Sequence, residues 1–541
     1  MINKLYTTLL LTLGIFLHLT AQQATLLKDV NPGTADGIVS DLVAVVGGQY
    51  FFHGKTVAEN EELWVSDGTT AGTHLVKDIY PGVTSGTGGT LIVFKGKVWF
   101  GGENSDLGVE LWSSDGTEAG TTVLDIATGS DHSYPDQFAA GTDYLYFTAY
   151  DNTFTAGLYR TDGTAAGTLL LTTQLGATSA LQIRQVVTVG NTAYISLDGP
   201  NAGQLWKSDG TVAGTVLFKD LAPGQFGAIS EMTPVGNKLY FGGSDNFLNN
   251  YEPWVSDGTA AGTLKLKEIS PNSSSQPKWF FPFKGKVYFE AVTSAFAAGS
   301  LWRTDGTPAG TELFKDISIS DPTYETPNLA ADANYLYFAG RTTTNGHELW
   351  RTDGTMAGTN MVTDLDPGTA SSSPSQLTLA LGKVYFRANV GGNGEELYAS
   401  DGTAAGTVQV TDFYPGASTN SSPRGIRQLG NQLIFIAKHP SYGTELFQLG
   451  ITSGTSAPQP AFALTVSPNP TSGLVTIALP EVALASDGLL RLLRTDGALV
   501  WEGQPTGRET KVMVETLSPG LYWVVYRSGN NWGRSSLLIA H

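Results

Sequence analysis

The chain has 541 residues, more than one ordinary core can bury, so it holds either several domains or repeats that pack on one another. A formal net charge of −18 argues against a nucleic-acid groove or an anionic membrane surface as partner, because either needs a basic patch to displace counterions. The absence of cysteine removes disulfides, thiolate metal sites, thiol catalysis and a lipidated N-terminal cysteine, while abundant Gly, Tyr, Phe and Trp describe an all-β chain of short strands and tight turns.

Residues 1–21 read as a signal peptide, with Lys4, a mostly apolar run from Leu5 to Leu19, and the small Ala21 before Gln22. The alternative, a membrane anchor, needs roughly 20 apolar residues. This run is shorter, and no later segment qualifies as a transmembrane span.

From residue 24 to 450 the sequence repeats. Leu63-Trp64-Val65-Ser66-Asp67-Gly68-Thr69-Thr70-Ala71-Gly72-Thr73 returns seven more times, with the aspartate at Asp115, Asp162, Asp209, Asp257, Asp305, Asp353 and Asp401, spaced by 47 or 48 residues. That period belongs with propeller repeats; HEAT-type units share the length but need helices. Each unit predicts four strands, exemplified by Leu42–Val46, Gln49–Phe52, Glu62–Val65 and His74–Ile79, with a Gly turn in the first hairpin and the Asp-Gly turn in the last.

The ends of the array are complementary. Thr25–Val30 is a fourth strand lacking its first three, and Gly425–Phe447 holds three strands lacking a fourth. Joined, they predict a closed β-propeller of about nine four-stranded blades, in which pairing of the two ends removes an exposed sheet edge. Eight blades is the alternative if the third unit is degenerate, since Leu158-Tyr159 replaces Leu-Trp there and Leu169–Thr172 lacks a Lys-Asp pair.

The aromatics Trp64, Trp112, Trp206, Trp254, Trp302 and Trp350 share one position with Tyr159, Tyr398 and Phe447, and are read as core between blades. A buried Trp covers about 150–250 Å² and contributes at most about 4–6 kcal/mol. A sugar platform is the weaker reading, because nine equivalent platforms would strip the sheets of large packing residues. In the Ser/Thr-Asp-Gly-Thr turn, Asp accepts backbone N–H groups and Gly supplies positive φ. Calcium is the alternative there, but a hard cation wants six to eight oxygens and each turn offers one carboxylate, so no cofactor or metal is expected.

The glutamates Glu62, Glu110, Glu348, Glu396 and Glu445 also recur at one position, which reads as architecture, whereas a glycosidase needs one pair at a defined separation. No metal-ligand spacing of histidines, phosphate loop or nucleophile elbow appears, so no catalytic residue is assigned. If the strands run from axis to rim, the short turns share one face and the variable loops the other, where binding belongs. Phe247 and Tyr251 are candidates for that face, as is Trp279, for which extra core on an inner strand is an equal reading.

Residues 451–462 form a Ser, Thr, Pro and Gly-rich linker, and residues 463–541 predict six or seven short strands, including a hairpin at Thr495-Asp496-Gly497, enough for a small immunoglobulin-like β-sandwich. Ser467-Pro468-Asn469-Pro470, Leu517-Ser518-Pro519-Gly520-Leu521-Tyr522 and the terminal strand from Gly533 to Ala540 resemble the C-terminal sorting domain of type IX secretion substrates of Bacteroidetes. The ending Ala540-His541 departs from the commoner basic one. The resemblance implies the type IX secretion machinery as partner, passage across the outer membrane, and release or surface attachment. The repeats are similar to the Glu-Leu-Trp-x-x-Asp-Gly-Thr (ELWxxDGT) repeat family over residues 24–449, which names no ligand. The expected function is a non-catalytic surface or secreted binding module for glycan or protein. The alternatives are a polysaccharide-active enzyme with a site composed from several blades and a structural surface-layer component.

Overall fold

The structure, a computed structural model, describes residues 24–540 except 83, 174, 176–182, 199–201, 224–226, 247–249, 272, 295–298, 320–328, 343, 416–418, 451–461, 470, 480–487, 495–498, 506 and 529–530. The expected signal peptide and nearly all of the expected linker lie outside the described residues. The chain divides between Gly450 and Ile451 into two compact units. No helix occurs among the described residues, so none is long and apolar enough to cross a membrane.

The first unit is a succession of antiparallel sheets, nine among the described residues. The first sheet comprises Ala44–Val46, Gln49–Gly54, Glu62–Ser66 and His74–Lys77. Its opening hairpin turns through Gly47 and Gly48, both with positive φ, the two-residue geometry that matches the twist of paired strands. The second sheet is Thr87–Phe94, Lys97–Asn104, Gly108–Ser114 and Thr122–Leu124. The third is Asp136–Ala140, Leu145–Tyr150, Ala156–Thr161 and Leu169–Thr172, so the unit that looks degenerate in sequence still makes four strands. The fifth differs by splitting its first strand into Ala228–Ile229 and Thr233–Val235.

Period-two alternation gives every sheet two apolar faces, and each face is buried against the next sheet. Phe51, Leu63 and Val65 of the first sheet pack on Val98, Phe100 and Trp112 of the second. Trp99 and Leu111 then pack on Phe147 and Tyr159 of the third. The same pattern continues to the ninth sheet, Arg424–Leu429, Gln432–His439 and Gly443–Gly450.

The ninth sheet takes its fourth strand from the start of the array. Thr25–Lys28 pairs with Gly443–Gly450, placing Leu26 opposite Phe447. Its other face meets the first sheet, where Tyr50, Phe52 and Trp64 share a core with Ile434, Ile436 and Leu446. The Tyr50 hydroxyl donates to the Gly425 carbonyl at 2.7 Å. The cores therefore form an unbroken cycle.

The second unit packs a five-stranded sheet (Phe462–Ala463, Leu489–Arg494, Leu499–Gly503, Gly520–Ser528, Asn531–Ile539) on a three-stranded one (Thr465–Ser467, Leu474–Ala478, Glu509–Met513). Val475, Ile477 and Val512 meet Leu490, Leu492, Val524 and Leu537 between them. Eight strands appear where six or seven are expected; the two-residue Phe462–Ala463 is too short for alternation to reveal. The turn at Thr495-Asp496-Gly497 lies outside the described residues, but the strands flanking it pair antiparallel.

Candidate functional site

The repeated residues are consumed by the scaffold. Asp67 Oδ1 accepts from the backbone N–H and the hydroxyl of Thr69 at 2.8 and 2.7 Å, and these bonds hold its carboxyl below the usual range. Gly68 has φ +89°, and a Cβ on Gly72 would fall 2.1 Å from the Asp67 carboxyl. The same bonds recur at Asp115, Asp162, Asp209, Asp257, Asp305, Asp353 and Asp401. The Asp, Gly and Thr of the turn thus each have a local structural task. Among the described residues no group of three or more His, Asp or Glu side chains could hold a metal ion.

Trp64, Trp112, Trp254, Trp302 and Trp350 are buried, and Trp206 is half-buried. The recurrent glutamates are buried too, and each carboxylate gathers N–H groups from the connection to the next sheet. Glu110 accepts from Ile126 and Ala127 and from the Ser133 hydroxyl; Glu252, which sequence comparison passes over because Pro253 interrupts the motif, accepts from Ile269, Ser270 and Ser275. Glu445 accepts from Val30 at 2.8 Å and Asn31 at 3.3 Å, fastening the N-terminal segment to the last sheet. Burial pushes Glu62 and Glu110 up to about 7 and Glu445 to about 8.

The ligand-face candidates fare differently. Phe247 lies outside the described residues. Tyr251 is half-buried and its carbonyl receives the Ser275 N–H and hydroxyl. Trp279 is buried, under the Lys278 ammonium, in the core between the sixth sheet (Lys278–Phe283, Lys286–Ala291, Ser300–Thr304, Glu312–Lys315) and the seventh (Leu329–Ala331, Leu336–Arg341, His347–Thr352, Asn360–Met361), which agrees with the core reading of the two and not with the ligand-face one. A β-bulge interrupts Lys278–Phe283 at this point, and Trp279 takes a φ of +61°.

The short turns do share one face: Lys95, in the first hairpin turn of the second sheet, donates to the carbonyl of Asp162, and Lys284 does the same to Asp353. At the opposite ends of the strands, the second and third sheets enclose a cleft of about 630 Å³. One wall is nearly bare. Gly86, Gly88, Gly89, Gly101 and Gly102 line it, and a Cβ on Gly88 or Gly89 would meet nothing within 4 Å. Beneath this wall, buried His53 meets Thr87 Oγ1 and the Gly89 carbonyl, each at 3.1 Å, and burial takes its pKa down to about 4, so it supports the wall as a neutral ring.

The opposite wall carries Tyr134 and Tyr150, with Asp136, Gln137 and Thr148, and Glu103 also lines the cleft. The two tyrosines belong to a row of rings that runs past the cleft. His132 stacks on Tyr134 at 5.2 Å, Tyr134 meets Tyr150 edge-on at 6.4 Å, and Tyr150 meets Phe154 at 6.0 Å. Tyr134, Tyr150 and Phe154 are 47%, 37% and 60% exposed, unlike the repeat aromatics.

The row is held in place before any ligand arrives. Asp151 Oδ1 accepts from the N–H groups of Thr153 and Thr155, which folds the loop that presents Phe154. Asn152 ties that loop to the Thr128 carbonyl and to Asp131, and His132 Nδ1 accepts the Val109 N–H at 3.0 Å. Preorganised loops lower the ordering cost of binding. The sequence signals were the glycine run around Gly86–Gly89 and the third unit's Gly157, which stands where six of the nine units have the recurrent glutamate.

No family model matches the chain, and no curated protein matches it. Among solved structures it is similar to a puromycin hydrolase (13% identity, 64% of this chain and 58% of that one, TM-score 0.34) and to a prolyl endopeptidase (15%, 68% and 54%, 0.38). It is also similar to PorZ, a bacterial surface component of the type-IX secretion system of Porphyromonas gingivalis (11%, 93% and 87%, 0.29). The chain spans a little over half the length of the first two. Likenesses this remote carry no argument about activity, ligand or partner.

The residues that carry the resemblance to a sorting domain are built into the second unit. Asn469 Oδ1 accepts the Leu538 N–H at 2.8 Å, pinning the last strand. Gly520 opens Gly520–Ser528, and buried Tyr522 donates from its hydroxyl to the Ser518 carbonyl. Pro468 follows a cis peptide bond, and Pro470 lies outside the described residues.

Proposed function

We propose that the chain is an exported, non-catalytic binding module: a closed nine-bladed propeller that takes its ligand in the cleft between its second and third blades, followed by a sorting domain. Closure is supported by the core joining the ninth sheet to the first and by Thr25–Lys28 completing the ninth sheet. The observation that carries the binding role is the exposed row of rings at the lip of a half-bare cleft, since a rigid scaffold otherwise buries its aromatics.

The test is an array of polysaccharides and extracellular proteins probed with the full chain. Wild type is expected to bind saturably and leave the ligand uncleaved. Replacing both Tyr134 and Tyr150 by Ser removes two ring contacts of about 0.5–1.5 kcal/mol each, a loss of about five- to 150-fold in affinity. Binding indifferent to that change and to Gly88→Leu, which fills the cleft, overturns the assignment.

A second reading, polysaccharide cleavage, is favoured by one observation. Glu103 and Asp136 line the same cleft from positions that are not equivalent in the repeat. New reducing ends in the same experiment would establish it.

The second unit supports routing by the type IX machinery, because its motifs resemble the sorting domain and its sheets enclose a core of their own. The repeats are read with the ELWxxDGT family on the same footing, and the reading requires no cofactor. In a host with that machinery, removing residues 463–541 is expected to leave the chain in the periplasm. Unchanged appearance at the cell surface or in the medium would exclude this route.

A further inference from the structure

The ligand's chemistry can be taken one step further, resting on the binding role just proposed. We infer that the cleft takes a neutral polysaccharide chain, with sugar rings laid against Tyr134 and Tyr150, and discriminates against uronate, sialylated and sulfated glycans.

Two features select a carbohydrate. Exposed ring faces carry the negative lobe of the aromatic quadrupole, which attracts the weakly positive C–H faces of a pyranose. The amide of Gln137 and the carboxylates of Glu103 and Asp136 line the same cleft as Tyr134 and Tyr150, so a sugar stacked there finds donors and acceptors at its edge. A pocket with apolar platforms and a few converging polar groups is the usual form of a small-ligand site, and about 630 Å³ sits inside the usual range of about 300–1,000 Å³.

The row of rings selects a chain over a single sugar. Tyr134 and Tyr150 lie inside the cleft, while His132 and Phe154 continue the row beyond its lining, in steps of 5.2 and 6.0 Å. A monosaccharide would leave the outer rings unused. Phe154, the most exposed of the four, is held by a loop whose own hydrogen bonds are satisfied without ligand.

Charge then separates neutral from acidic polymers. Acidic glycans are recognised by Arg or Lys, most effectively through bidentate guanidinium contacts. Among the described lining residues there is no Lys, Arg or His, whereas Glu103 and Asp136 are both present. Asp131 and Asp151 flank the ring row, in a chain already at −18. A carboxylate or sulfate on the ligand would enter this field without a counterion.

The experiment is affinity electrophoresis of the full chain through gels containing laminarin, xylan, mannan, alginate, polygalacturonate or heparin. Retardation is expected by at least one of the three neutral polymers, at least tenfold stronger than by any acidic one, and little changed between 50 and 300 mM salt. Gly88→Leu should reduce it about tenfold or more and Tyr150→Ser about two- to tenfold, while the folded far-UV spectrum is retained. Stronger retardation by an acidic polymer, or by none of the neutral ones, overturns the inference. If the array then shows a protein ligand that Gly88→Leu abolishes, the binding role survives and the carbohydrate assignment alone fails; if no ligand responds to Gly88→Leu, both fail.

Discussion

Glu445→Ala is expected to destabilise the first unit by about 2–6 kcal/mol, because it strips the acceptor from two buried N–H groups that each cost about 1–3 kcal/mol when left unpaired. Those groups belong to Val30 and Asn31, more than 400 residues away in the chain, so the loss falls on the contact that joins the two ends of the array. Urea unfolding of the full chain, followed by tryptophan fluorescence, measures it. A change below 1 kcal/mol would mean that the apolar core alone holds the ends together.

The same carboxyl makes stability depend on pH in a defined direction. Burial raises Glu445 from an ordinary 4.5 to about 8, against the pull of its Val30 and Asn31 N–H bonds. Between those values the folded chain holds more protons than the unfolded one, so stability falls as pH rises from about 4.5 to about 8, with no further loss above that. The slope is at most about 1.4 kcal/mol per pH unit for one such group. Glu62 and Glu110, raised to about 7 by the same cause, add losses of the same sign over 4.5 to 7. Glu445→Gln retains an acceptor and cannot ionise, so its stability relative to wild type should be higher at pH 8.5 than at pH 5. An identical pH slope in the two proteins would remove Glu445 as a source of the effect.

Trp112→Ala should cost about 3–5 kcal/mol, the range for emptying a large buried aromatic site. Its ring fills the core between the first and second sheets, with the Lys77 ammonium 5.7 Å from its centre. Trp206, half-buried with its indole N–H donating to Gln204, should cost about half as much, in proportion to the apolar area it removes from water. Comparing thermal midpoints of the two variants separates packing from ligand contact. Equal small losses, with loss of polysaccharide binding in Trp112→Ala, would restore the repeat tryptophans as sugar platforms.

Much of this protein is legible in its sequence because the relevant constraints act over a few residues. Asp67-Gly68-Thr69 specifies its own turn, Gly47-Gly48 its own hairpin, and strand alternation the two buried faces of each sheet. The complementary ends, Thr25–Val30 and Gly425–Phe447, needed only that local grammar to be matched as one sheet. The aromatic position reads through substitution as well: Tyr159, Tyr398 and Phe447 are buried where Trp stands elsewhere.

What only the tertiary structure decided concerns partners brought together from different strands and sheets. In the sixth unit Ser300 occupies the place of the recurrent glutamate, yet Glu290, across the neighbouring strand and opposite Leu301, accepts the Ile319 N–H in its stead. Trp279 lies within the first strand of its unit and Tyr134 just ahead of the first strand of its own, and both strands carry a bulge, yet Trp279 enters the core while Tyr134 faces a wall of glycines from the second sheet and remains in solvent. A side chain's burial depends on what the adjacent sheet places against it. Turn type and strand period are local and can be read along the chain; the cleft exists because bare glycines on one sheet meet exposed rings on the next, and no single segment contains both.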